Sequence, residues 1–129
     1  MNWKLIFQLS LFGLAMAFGT VYVIPSNIEP MLWLLVFLVC AYLIATQAPG
    51  RYFLHGLVLG LANSVWVTGV HLVLVTPYLT NHPAEAEMMY SAPLPITPMM
   101  LITGPIVGLI SGTVIGLLAI VASKIVRRR

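Results

Sequence analysis

The charges of this chain alternate in sign across four long apolar stretches. The flanks and connections carry, in order, Lys4, then Glu29, then Arg51, then Glu85 with Glu87, and finally Lys124 with Arg127, Arg128 and Arg129. Cytoplasmic flanks of membrane proteins collect Lys and Arg, whereas translocated loops do not. The order therefore predicts four crossings of the cell membrane with both termini in the cytoplasm. A chain of 129 residues that is 60% hydrophobic and 7% charged has too few polar side chains to coat a water-soluble globule, so its main solvent is the lipid bilayer.

The fold class that follows is all-α: a polytopic bundle of four transmembrane helices, N-in and C-in, forming a single domain over residues 1–129. The spans are expected at about residues 5–24, 31–48, 53–79 and 99–126, with an outer polar segment at 80–98. Each reaches the roughly 20 residues that cover about 30 Å of hydrocarbon at about 1.5 Å per residue. The first begins like a signal peptide with Ala15-Met16-Ala17 as a cleavage site, but its apolar run continues to Ile24, which favours retention as a helix. Pro25 to Pro30 reads as a short turn, and Pro49-Gly50 as a tight one that sets the second and third helices side by side. In the outer segment, Asn81 is expected to cap a short helix through Glu85 and Glu87, and the run from Pro93 to Pro98 to be extended. Pro105 is expected to kink the fourth helix by removing a backbone donor and crowding the carbonyl of Leu101.

Gly104, Gly108, Gly112 and Gly116 recur at every fourth position of the last span. At about 100° per residue they share an arc of about 140° with Ser111, Ala119, Ala122 and Ser123. Lipid offers no hydrophobic gain for joining two apolar helices, so a face of small residues, a glycine zipper, is where close packing becomes the attraction. The third span offers a matching face of Gly56, Gly60, Asn63, Ser64, Thr68 and His71. These two faces are expected to pack together, with Asn63 and Ser64 bonding across the seam at about 0.6 kcal/mol each. The other arrangement open to the glycine face is a seam between copies of the chain.

His71 is the one ionisable side chain expected well inside the hydrocarbon, where such residues are costly and often mark ion paths. The simpler reading is a neutral ring hydrogen-bonded to Asn, Ser or a carbonyl. His55 is expected at the cytoplasmic interface. Cys40 is the only cysteine, which excludes intramolecular disulfides and leaves a small buried hydrophobe. His82, Glu85, Glu87, Met88 and Met89 include metal-ligand types, but their spacing matches no defined site.

Four of the six basic residues, Lys124, Arg127, Arg128 and Arg129, follow the last span. They read as a membrane-surface anchor, each worth about 1 kcal/mol near anionic lipid, and not as a nucleic-acid site. No paired carboxylates lie in the spans, and no phosphate loop or serine with a neighbouring base occurs, so enzyme chemistry, a cofactor and a metal are not expected. The function expected first is a non-enzymatic subunit or scaffold that joins a second copy or a larger membrane partner through the glycine face. The alternative is a small oligomeric transporter or channel with a polar path around Asn63, Ser64 and His71.

Overall fold

The computed structural model describes residues 1–127, and within them all regular structure is helical. Six helices follow one another: α1 (Trp3–Tyr22), α2 (Glu29–Gln47), α3 (Tyr52–Val73), α4 (Val75–Asn81), α5 (Pro83–Ser91) and α6 (Ile96–Arg127). Four of them, α1, α2, α3 and α6, are long and apolar enough to cross a membrane. Helices suit such a sequence because hydrocarbon offers no partner for a free N–H or C=O, and a helix satisfies both within itself. The fold is an all-α polytopic bundle.

Local chemistry sets the ends. Asn2 caps α1 by accepting from the Leu5 N–H at 3.1 Å. Pro30 lies in the first turn of α2, where its missing donor costs nothing. Between α2 and α3, Gly50 and Arg51 both take positive φ, at 153° and 51°. The third span stops at Val73, short of the expected residue 79. Pro77 explains the difference, because its ring would clash with the Val73 carbonyl and it has no N–H to return, so the chain breaks at Leu74 and restarts as α4. The expected cap at Asn81 is also displaced: His82 is the N-cap residue of α5, and Asn81 instead donates its side-chain amide to the Val21 carbonyl. Only the first part of the proline run is irregular. Pro98 falls within the first turn of α6, a place proline tolerates, so the last helix begins at Ile96 and continues unbroken through Pro105.

Antiparallel α3 and α6 form the central pair, with Gly56 opposite Gly116 and Thr68 opposite Gly104. α1 lies against α3, α2 against α6, and α4 with α5 crosses one end of the bundle. The Asn2 N–H reaches His55 at the start of α3, which places the N-terminus and the C-terminal end of α6 together. At that termini end Leu5, Leu9, Ile44, Leu59, Ile115 and Ala119 form an apolar core shared by all four spans. Cys40 is buried in it. A second cluster at the α4–α5 end contains Val21, Tyr78, Leu79, Ala86 and Met100. Large apolar side chains such as Phe7, Leu35, Val65 and Ile110 face outward, the arrangement that hydrocarbon permits and water penalises.

Candidate functional site

Helix α3 approaches α6 so closely because neither has side chains in the way. A Cβ at Gly60 would strike the backbone of Gly112, and one at Gly56 the backbone of Gly116. From the other side, a Cβ at Gly112 would lie 2.6 Å from the Leu57 carbonyl oxygen, and one at Gly116 2.7 Å from that of Phe53. Gly108 receives the Ser64 side chain and Gly104 that of Thr68. All six glycines singled out by spacing therefore meet in one seam within the chain.

The polar residues beside that seam do not bond across it as expected. Ser64 donates to the Leu61 carbonyl of its own helix at 2.7 Å. Its position opposite bare Gly108 explains this, since glycine brings no side-chain partner. Asn63 lies one residue further round the helix, by about 100°, and packs against Gly13 of α1. Only 4% of Asn63 is exposed, and neither Oδ1 nor Nδ2 has a hydrogen-bond partner.

Asn63 and Ser64 also line a cavity of about 500 Å³ bounded by α2, α3 and α6. Trp33 and Phe37 form its α2 wall, Val67, Thr68 and His71 continue α3, and Thr103, Val107 and Ser111 come from α6. Toward the α4–α5 end it reaches Glu29, Tyr78 and Met89. Toward the termini, the cluster of Ile44, Leu59 and Ile115, each fully buried, fills the space between the same helices. The cavity is thus a mostly apolar, partly open chamber with polar groups from α2, α3 and α6.

His71 is held from outside the cavity. The Thr20 hydroxyl donates to the Ala17 carbonyl at 3.0 Å, so the His71 Nε2–H is the donor of the 2.9 Å bond to Thr20 Oγ1. The ring stacks on Tyr78 with centroids 4.0 Å apart, and Tyr78 in turn lies 4.5 Å from the His82 ring. His82 is fully buried; its Nε2 donates to the Thr20 carbonyl and its Nδ1 accepts from Ser26 at 2.6 Å. Glu85 lies 3.9 Å from that Nδ1. Thr20 therefore joins α1 to both α3 and the α4–α5 junction. Among the described residues no three His, Cys, Asp or Glu side chains converge as metal ligands. No family model, characterised protein or solved structure matches the chain.

Three described basic residues keep to one end. Lys4, Arg51 and Lys124 are exposed at the termini end, while Glu29, Glu85 and Glu87 belong to helices at the opposite end. Arg127 ends α6, and Arg128 and Arg129 lie outside the described residues. His55 is buried at this termini end: it accepts from the Asn2 N–H at 3.0 Å and donates from Nδ1 to the Arg51 carbonyl at 2.9 Å, which ties the N-terminus to the turn before α3. Thr20, Tyr78 and Ser26 escaped the sequence reading. Thr20 is 51 positions from His71, and no local pattern announces such a pair.

Proposed function

We propose that this chain is a membrane-embedded small-molecule binding protein of the transporter class, with both termini in the cytoplasm. The observation that carries the reading is the cavity of about 500 Å³ beside Asn63, within the range of about 300 to 1,000 Å³ that small-molecule sites occupy. Asn63, Ser64 and His71 are among its polar lining residues. The charge order supports the orientation, since the cationic end carries the termini. In that orientation the chamber extends toward the outer surface and is closed from the cytoplasm by the core around Ile44, Leu59 and Ile115.

The scaffold reading is weakened by the same packing that creates the seam. Its partner was to dock on the glycine face of α6, and α3 fills that face. Association with a second copy or a larger membrane protein would need another surface, for which no feature argues as directly as the cavity does.

Native mass spectrometry of the protein extracted gently from its membrane tests the proposal. One small-molecule adduct per chain is expected, and its loss in Val67→Trp, which fills the chamber. A protein that retains no adduct, or that carries a stoichiometric protein partner in its place, removes the binding reading.

A further inference from the structure

Among the described residues, Glu29 is the one carboxylate that lines the cavity, and no Lys or Arg does. It is the first residue of α2; Trp33 and Phe37 follow at four-residue spacing on the same stripe of that helix and line the same chamber. The Trp33 Nε1–H donates to Glu29 Oε1 at 3.2 Å, which holds the carboxylate against another lining residue. Among the described residues the Glu29 carboxylate makes no other hydrogen bond and no ion pair. It is a half-buried charge with one neutral donor and no counter-ion.

The surroundings carry the same sign. Tyr78 lines the chamber at this end, and its burial, followed by the charges of Glu29 and Glu85, pushes its hydroxyl up to about 12. Glu87 also belongs to α5 at this end, whereas Lys4, Arg51 and Lys124 stand at the other. Most proton donors of the lining are already spent. Ser64 gives its proton to the Leu61 carbonyl, Ser111 to that of Gly108, Thr103 to that of Met99, and His71 Nε2 to Thr20. An anion entering the chamber would meet a carboxylate and few donors. A cation meets the uncompensated carboxylate, hydroxyls left with lone pairs alone, and the indole of Trp33, a ring type whose face attracts ammonium groups within about 6 Å.

The rest of the wall sets the body of the ligand. Phe37, Val67, Val107 and Val114 continue the chamber with apolar surface. From Glu29 to Phe37 helix α2 rises about 12 Å, room for an alkyl or aryl group alongside. A phospholipid head would bring its phosphate against Glu29, so the cation that fits carries none.

We infer that the Glu29 end of the cavity binds a lipophilic organic cation free of phosphate, an ammonium group with an alkyl or aryl body, its charge at Glu29 and Trp33 and its body along Phe37 and Val107. This rests on the binding reading above and names its ligand class.

The test uses the full chain in a non-ionic detergent, stripped of endogenous ligand and titrated by native mass spectrometry with dodecyltrimethylammonium, dodecanamide, dodecanoate and dodecylphosphocholine. The first three differ in head charge, and the fourth carries the cation beside a phosphate. Dodecyltrimethylammonium is expected to bind about tenfold more tightly than dodecanamide, with dodecanoate weakest and dodecylphosphocholine no tighter than the amide. In Glu29→Gln the side-chain oxygen still accepts from Trp33, and the preference for the cation over the amide is expected to disappear. Retained dodecanamide affinity verifies that this variant folds, and the ranking on the native chain stands independently of it. A cation that binds the native chain no better than the amide, or an unchanged preference in Glu29→Gln, overturns the inference while leaving the cavity as a binding site. Dodecylphosphocholine binding as tightly as dodecyltrimethylammonium also overturns it and assigns the site to choline lipids. Failure of all four probes to bind the native chain overturns the binding reading as well.

Discussion

Gly60 of α3 and Gly112 of α6 meet backbone to backbone, with no space between them for a single methyl group. The contact differs from that of Gly69, which lies on the same helix and has nothing within 4 Å of where its Cβ would stand. Gly60→Ala is therefore expected to destabilise the bundle by about 1 to 3 kcal/mol through overpacking. Gly69→Ala should stabilise it by up to about 1 kcal/mol through helix propensity. Unfolding in mixed micelles measures both, and equal effects of the two changes would remove close packing as the basis of the α3–α6 pair.

The hydrogen bond between Thr20 and His71 joins α1 to α3 across the bundle. A double-mutant cycle of Thr20→Val and His71→Phe is expected to give a coupling of about 0.6 kcal/mol and no more than about 1.7 kcal/mol, the range found between membrane helices. A coupling of zero would mean that the bond contributes no net stability.

His82 holds the α4–α5 junction to α1 through Thr20 and Ser26. Replacing it with Ala should release this short helical pair while leaving the cluster around Leu59 intact. Hydrogen exchange is expected to rise over residues 75–91 with little change in α3 below Asn63. Uniform acceleration throughout the chain would instead assign His82 to global stability.

Asn63 is buried against Gly13 of α1 with its amide unpaired, so Asn63→Leu should raise stability by about 1 to 3 kcal/mol. Denaturation of the two proteins measures the difference. A loss of stability would show that the Asn63 amide is satisfied in the folded protein.

Much of this architecture is legible in the residues, for reasons that differ from element to element. Apolar runs and prolines mark the spans because lipid leaves the backbone no other solution, and the four-residue spacing from Gly104 to Gly116 identifies a bare helix face before any partner is known. The break at Leu74 was equally accessible, since Pro77 dictates it; the apolar residues on either side concealed it. Thr20, Tyr78 and His82 were not legible. They acquire their roles through contacts between residues more than 50 positions apart in the pairs that involve Thr20, and neither hydropathy nor periodicity records such contacts. The cavity was hidden for a related reason: Trp33, Phe37, Val67 and Val107 read as ordinary apolar helix residues until packing leaves a space between α2, α3 and α6.

Accessibility of introduced thiols is the most direct test of a chamber that extends from the outer side and is closed by an apolar core. In a Cys40→Ala background, Thr103→Cys and Ser111→Cys should react with a membrane-impermeant thiol reagent added outside intact cells. Ile115→Cys and Ala119→Cys, at positions fully buried in the core, should react from neither side. Labelling of Thr103→Cys and Ser111→Cys only from the cytoplasm, or of Ala119→Cys while Ser111→Cys stays inert, would contradict the orientation and the position of the closure together.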